Sequence, residues 1–199
     1  MKAVIFDLDG VLIDSRQSME TAWGMVQLQC KIDIPFEDYF AQIGKPFRDI
    51  LEIIGVPKVD FHLVDKVYDH WAKAASQDIS FYEGVKETLE VLREEHLLAI
   101  VTSKSKERTD LILDRFQVFD FISCPQEGLK GKPAPDQLIY TLEQLNIEPS
   151  DAIYVGDMQT DYECANAAGV KFVHVKYGYG EVECEHSVNQ LSDLTKLLD

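Results

Sequence analysis

The chain has 199 residues, 46% of them hydrophobic and 27% charged, with a formal net charge of −16. That size suits one domain or one domain carrying a modest insertion, and the composition is that of an ordinary globular protein. The acidity speaks against nucleic acid and anionic membrane surfaces as partners, since both need basic patches. An anionic substrate would have to be held by local positive charge, from a metal or from lysines.

In chain order, Ala3 to Phe6 reads as a short apolar strand, after which the chain turns at Gly10. From Ser15 the apolar spacing becomes helical, with Met19, Ala22, Trp23, Val26 and Cys30 on one face. A loop through Ile34-Pro35 and Gly44-Lys45-Pro46 leads to a short helix from Phe47 to Ile54, which Gly55-Val56-Pro57 ends. A second long amphipathic helix carries Phe61, Val64, Val67, Tyr68, Trp71 and Ala75. Residues 15–81 therefore read as an all-helical insertion, with hinges near Asp14-Ser15 and Ser80-Phe81-Tyr82. Strand and helix then alternate. A helix with Val85, Leu89 and Leu92 precedes a strand at Leu97 to Val101, and a helix around Leu111 to Phe116 precedes Phe121-Ile122-Ser123. A helix from Asp136 to Leu145 precedes a strand at Ala152 to Val155. A helix through Ala165 and Ala168 stops at Gly169 before a last strand, Lys171 to Val175. Such alternation implies an α/β core, residues 1–14 and 82–199, with a parallel sheet, helices on both faces and right-handed crossovers.

Cys30, Cys124, Cys164 and Cys184 are far apart and form no Cys-x-x-Cys pair, so reduced thiols are expected. Asp7 and Asp9 interrupt the first apolar run, which lacks the shape of a signal peptide. No stretch approaches the ~20 apolar residues of a membrane helix. The expectation is a soluble cytoplasmic protein, monomer or homodimer.

Ligands of an open parallel sheet bind at the carboxyl ends of its strands. Asp7-Leu8-Asp9-Gly10, Thr102-Ser103-Lys104 and Gly156-Asp157 through Asp161 each follow a strand directly. Together with Gly131-Lys132-Pro133 they would meet in one crevice. Asp7 and Asp9, two apart on an extended chain, share a face; at about 4–5 Å and an effective dielectric near 20 they repel by roughly 3–4 kcal/mol. Asp157 and Asp161 add two more carboxylates. Four carboxylates with no nearby histidine or cysteine suit a hard cation, best Mg²⁺ bridging to a phosphate. One aspartate of the first pair could then attack phosphorus, and the other protonate the leaving oxygen. Thr102 offers a hydroxyl and Lys132 an ammonium to the phosphoryl oxygens. Singly these are weak signals: a solvated turn, a strand-ending threonine, a surface lysine.

Taken together, the segment from Asp7 to Ser15, Gly131-Lys132-Pro133-Ala134-Pro135-Asp136 and Gly156-Asp157-x-x-x-Asp161 resemble the motifs of the haloacid dehalogenase superfamily. The likeness is to its phosphoglycolate phosphatase and phosphoglucomutase-like branch, and it covers essentially the whole chain. It implies a Rossmann-like core with a small helical cap at 15–81 that sets substrate specificity. By the same resemblance Asp7 is the nucleophile and a magnesium ligand. Asp9 is the general acid/base and lends its backbone carbonyl to the metal, while Thr102 and Lys132 hold the phosphoryl group. Asp157 ligates the metal directly, Asp161 acts through water or by orienting Lys132, and Asp14 is structural where the cap leaves the core. Gly10 and Ser103, beside Asp9 and Thr102, count with the substrate-binding residues; Ser103-Lys104 stands where Asn-Lys is common.

The second aspartate, Asp9, favours phosphate esters over halides or phosphonates. A related mutase is expected to carry a histidine ten residues later, where this chain has Met19. Tyr177-Gly178-Tyr179-Gly180 resembles a segment frequent in phosphoglycolate phosphatases, and also reads simply as a glycine-rich turn with packed tyrosines. Lys45 and Arg48 are the candidate cap residues for a second anionic group on the substrate; alternatively both are solvated. The expected function is Mg²⁺-dependent hydrolysis of a small phosphorylated metabolite through an aspartyl-phosphate. A sugar-phosphate mutase, a pyrophosphatase and a non-catalytic phosphate-ligand-binding protein are the alternatives.

Overall fold

The computed structural model describes residues 2–114 and 116–198. Six strands form one parallel sheet in the order β5-β4-β1-β6-β7-β8: β5 (Phe121–Ser123), β4 (Leu97–Val101), β1 (Ala3–Phe6), β6 (Ala152–Gly156), β7 (Lys171–Val175) and β8 (Ser187–Val188). β1, fully buried, lies between β4 and β6, with Phe6 level with Ile100 and Val155. The apolar run of β1 is continuous because both faces of a parallel sheet are covered. On one face Val4, Phe6, Leu98, Ile100, Ile153 and Val155 pack with Val85, Leu89 and Leu92 of α5 (Val85–Leu92) and Leu194 of α9 (Leu194–Leu198). On the other, Ala3, Ile5, Val101 and Tyr154 pack with Leu138 and Leu142 of α7 (Asp136–Leu145) and Cys164 and Ala165 of α8 (Gln159–Ala168).

Between β1 and α5 the chain makes α1 (Arg16–Cys30), α2 (Phe36–Phe40), α3 (Phe47–Ile53) and α4 (Phe61–Ala74). These gather around an apolar core of their own, built on Trp23, Val26, Tyr39, Leu51, Val64 and Tyr68. Trp23 stacks on Tyr39 with ring centroids 4.6 Å apart and donates its indole N–H to the Ile34 carbonyl at 2.9 Å. The chain enters and leaves this helical segment side by side, because β2 (Ile13–Asp14) pairs antiparallel with β3 (Ser80–Phe81).

Three local expectations differ from the structure. α2 occupies part of what reads as a loop before Gly44. The helix expected around Leu111 to Phe116 is α6, Lys106–Leu113, set earlier because Ser105 opens it; Arg115, in the expected stretch, lies outside the described residues. β2, β3 and β8 are two residues each, too short to leave any periodicity.

Candidate active site

Asp7 is the residue immediately after β1, and its N–H donates to the Val155 carbonyl at 2.9 Å, so the neighbouring strand fixes its backbone. Asp157 follows β6, and Asp161 is the third residue of α8. There Asp161 Oδ2 accepts the N–H of Met158 at 3.0 Å, the reciprocal contact of a helix start. This explains the spacing of the two: one carboxylate ends a strand, the other caps the helix that follows. Asp7, Asp157 and Asp161 each present a carboxylate oxygen within 4.8 Å of the others.

Lys132, from the loop before α7, reaches into this group and is 1% exposed. Its Nζ lies 2.9 Å from Asp7 Oδ1 and 2.7 Å from Asp161 Oδ1. Burial alone would lower its pKa, but Asp161 and Asp7 outweigh that and hold the ammonium above its usual range. Asp161 Oδ1 also lies 3.0 Å from the Tyr154 hydroxyl, so both its oxygens are engaged. Burial pushes the Asp7 carboxyl up to about 7, with Lys132 pulling the other way.

Asp157 is the exception in this cluster. Its Oδ2 accepts the Tyr179 N–H at 2.7 Å, while its Oδ1 is buried with no hydrogen-bond partner. Burial, and repulsion from Asp161 and Asp7, push its pKa well up. A native fold rarely leaves a buried carboxylate oxygen orphaned without an ion or water to meet it. The all-oxygen donor set, the surplus of carboxylates over ammonium groups and this orphan oxygen together fit a hard divalent cation.

Asp9 stands across the turn, where its Oδ1 accepts from Ser15 Oγ and lies 3.0 Å from Lys104 Nζ. Lys104 is buried, which lowers its pKa, and Asp9 opposes that shift. The turn needs Gly10: its φ is +79°, and a Cβ there would run into the Asp157 carboxylate and approach the Tyr179 ring to 2.8 Å. Thr102, directly after β4, is fully buried, and its hydroxyl accepts the Lys104 N–H at 3.1 Å.

Asp7, Asp9, Thr102, Ser103, Lys104 and Lys132 line one cavity of about 60 Å³, roofed by Met19, Tyr39, Ile43, Phe47 and Tyr68 of the helical segment. Core and roof touch at Ser103, whose Oγ donates to the Gly44 carbonyl at 2.9 Å. They also touch where Gly44 (φ +89°) presses on α8, since a Cβ there would lie 2.6 Å from Thr160 Oγ1. Of the two cap cations singled out in the sequence, Lys45 lines the cavity and donates to Gln42 Oε1 at 3.0 Å. Arg48 does not line it: its side chain is 69% exposed and pairs with Asp65 at 3.2 Å. The cation that joins the cavity wall instead is Arg108 of α6. Spacing gives no sign of Arg108, since no motif surrounds it. Gly10 does not line the cavity either; it is the space in which Asp157 sits.

The tyrosine-glycine segment serves as a clamp. Tyr179 hydrogen-bonds Asp157 through its N–H, and its hydroxyl accepts the Ser15 N–H at 2.7 Å and donates to Asp14 Oδ1 at 3.0 Å. Its ring packs edge-on against Phe40 of α2. Tyr177 donates its hydroxyl to the Val11 carbonyl at 2.7 Å.

The family profile described as haloacid dehalogenase-like hydrolase matches residues 4–175. A phosphoglycolate phosphatase from Nitrosospira multiformis is 31% identical over 220 residues, covering 100% of this chain and 96% of that protein. A protein from Caldanaerobacter subterraneus that carries a provisional pyrophosphatase name is 33% identical, over 88% of this chain and 81% of its own. A solved structure from Lactobacillus plantarum superposes with a TM-score of 0.91 over 99% of this chain and 100% of its own; at 22% identity this speaks to the fold. With a parallel sheet of the matching topology and a profile spanning β1 to β7, the chain belongs to the haloacid dehalogenase-like hydrolase family, on its phosphatase side.

Proposed function

We propose that this chain is a Mg²⁺-dependent phosphatase of a small phosphorylated metabolite, phosphoglycolate-like in size, acting through phosphorylation of Asp7. The observation that carries this reading is the buried triad of Asp7, Asp157 and Asp161 with the orphaned Asp157 Oδ1 beside it. Asp7, Asp157 and the Asp9 backbone carbonyl would hold the cation, which when bound supplies positive charge to the carboxylates and the phosphoryl oxygens. Asp161, with both oxygens engaged, is better suited to orienting Lys132.

An Asp7 carboxylate oxygen attacks phosphorus as the ester P–O bond breaks, and Asp9 gives its proton to the departing alkoxide. Asp9 then takes a proton from water; the resulting hydroxide attacks phosphorus, the Asp7–phosphoryl bond breaks, and inorganic phosphate leaves. Lys132 and the Thr102 hydroxyl answer charge on the phosphoryl oxygens throughout, preorganised and out of water. Ser15 and Lys104 hold the Asp9 carboxylate in place. The helical segment 15–81 acts as the cap, whose roof limits the access of water to the reacting centre.

Met19 lines the cavity at the position where a mutase of this branch is expected to have histidine. A thioether takes no proton, so nothing there would hand a substrate hydroxyl to the phosphoryl group in place of water. The curated relatives named for phosphoglycolate and for pyrophosphate make those two compounds the first to try.

Phosphate release from a panel of small monoesters and pyrophosphate, with Mg²⁺ and with chelator, tests the reading. Turnover is expected only with Mg²⁺, and Asp7→Asn is expected to lower it by roughly a thousand-fold or more. Phosphate transferred to the Asp7 peptide would appear by mass spectrometry in quenched wild-type enzyme. No release from any compound by folded protein in Mg²⁺ would overturn the phosphatase reading.

A further inference from the structure

Ser15 opens α1, a place where serine ordinarily turns its hydroxyl to the N–H groups of the first helical turn. Here it makes no such bond, although one would stabilise the helix. Its Oγ donates instead across the turn to Asp9 Oδ1, and Lys104 Nζ lies 3.0 Å from the same oxygen. Both contacts fall on Oδ1, so Oδ2 is the oxygen that Asp9, a cavity residue, has left to offer a departing group.

What presents Ser15 in this way comes from the far end of the chain. Ser15 is buried, and a buried backbone N–H needs a partner. It finds one in the Tyr179 hydroxyl, at 2.7 Å. The same hydroxyl donates to Asp14 Oδ1 at 3.0 Å, and that oxygen also accepts the Arg16 N–H at 3.2 Å. Asp14 thereby takes an N–H of the first turn of α1, and one phenol pins the two residues that lead into the helix.

Tyr179 is itself firmly seated. Its N–H donates to Asp157 Oδ2 at 2.7 Å, and its ring packs on Phe40 with centroids 5.2 Å apart. The flanking glycines let the main chain lie close against Asp157. A Cβ on Gly178 would run into the Asp157 side chain, and one on Gly180 would lie 2.8 Å from the Asp157 carbonyl oxygen. The Gly180 carbonyl is also within 3.2 Å of His174 Nε2 on β7. The N–H of Tyr179 thus serves the metal site, which leaves its hydroxyl without a part in the chemistry above.

We propose that the Tyr179 hydroxyl is a positioning group for the proton that Asp9 delivers. By holding the Ser15 N–H it fixes Ser15 Oγ on Asp9 Oδ1, and so keeps Oδ2 aimed at the ester oxygen that leaves. The inference rests on the phosphatase reading above and adds the residue that places its acid. As Asp7 bonds to phosphorus and the ester P–O bond breaks, the departing alkoxide takes the Oδ2 proton. The negative charge left on Asp9 is met by Ser15 Oγ and Lys104. Tyr179 does not line the cavity and acts only through Ser15.

The test follows kcat/KM across the small phosphates that the wild type turns over. They run from acetyl phosphate, whose acetate leaves without a proton, to alkyl esters, whose alkoxide needs one. Tyr179→Phe removes the hydroxyl and keeps the N–H on Asp157 and the ring on Phe40. Alkyl esters are expected to lose at least about tenfold, and acetyl phosphate less than about twofold. The Mg²⁺ concentration giving half-maximal rate is expected to stay unchanged. Ser15→Ala is expected to show the same selective loss, and Tyr179→Phe added to it to cost less than about twofold more, because both act through one Oγ. Should Tyr179→Phe not fold, Asp14→Ala, on the exposed partner of the same hydroxyl, is expected to give a smaller loss confined to alkyl esters. A loss shared equally by acetyl phosphate and alkyl esters, unchanged turnover of alkyl esters, or fully additive losses in the double variant would overturn the assignment while the phosphatase reading stands. No turnover of any phosphate by the wild type would overturn both readings.

Discussion

The floor and the roof of the cavity are built by opposite rules. On the floor, Asp7 and Asp157 directly follow β1 and β6, and Asp161 lies in the first turn of α8, so the sheet itself dictates their separation. Lys132 is locked between two carboxylates, and Asp161 has both its oxygens engaged. On the roof, Tyr39, Tyr68, Phe47 and Met19 come from helices that pack by apolar contact, joined to the core through Ser103, Gly44 and the Tyr179 ring. Under the proposed function the difference separates two kinds of information: the floor sets the bond that is broken, and the roof sets which molecule presents it. A floor group should therefore respond to substitution in stability as well as rate, and a roof group chiefly in substrate preference.

The sharpest break of that comparison is Lys132→Met, which leaves Asp7 and Asp161 buried without their cation. Loss of one partner from a buried ion pair costs about 3–5 kcal/mol, and in a chain of this size Tm is expected to fall by roughly 10 °C. Calorimetry of the metal-free variant checks it, and an unchanged Tm would mean the carboxylates are not held as charges. Asp157→Asn has the opposite sign. Its charge is disfavoured by burial and by Asp161 and Asp7, and the amide oxygen can still accept from Tyr179. The metal-free variant is expected to gain about 1–2 kcal/mol, or ~3–6 °C in Tm. Its Tm should no longer rise when Mg²⁺ is added, whereas that of the wild type should. A less stable variant that still answers Mg²⁺ would take Asp157 out of the metal site.

On the roof, Gly44→Ala forces a Cβ at φ +89° towards Thr160. The strain costs about 1–3 kcal/mol, and lifting the loop off α8 is expected to raise KM several-fold with a smaller change in kcat, measurable by steady-state kinetics. Smallest of all is Arg48→Ala. Exposed ion pairs such as Arg48–Asp65 contribute little, so kcat/KM is expected to stay within about twofold. A larger loss would bring Arg48 into the substrate site.

The same division governs what could be read without coordinates. The buried strands declared themselves as apolar runs, and α7 (Asp136–Leu145) and β7 (Lys171–Val175) lie at the expected residues. The floor residues were legible because each sits beside such a run or inside a motif, so local order implies spatial order. The roof was not. Arg108 joins Tyr39 and Tyr68 only through the docking of α2, α4 and α6, elements whose relation is tertiary and leaves no spacing in the chain. Of the two cations singled out by position, Lys45 lines the cavity, whereas the helix of Arg48 turns it towards Asp65 and solvent. α6 (Lys106–Leu113) begins with a polar turn, so the later apolar residues marked only its second half.

The pairing of β2 with β3 has one further consequence. Because the departing and returning strands are hydrogen-bonded neighbours, with Ile13 facing Phe81 and Asp14 facing Ser80, the sheet experiences the whole helical segment as the tip of a single hairpin. Such a tip is interchangeable. A different fold with closely spaced ends could be grafted between these strands, provided that it keeps Ser15, which holds Asp9 and meets the Tyr179 clamp on Asp157. The molecule is in this sense a socket and a plug, and the ribbon is the joint at which new selectivity could be fitted to an unchanged reaction.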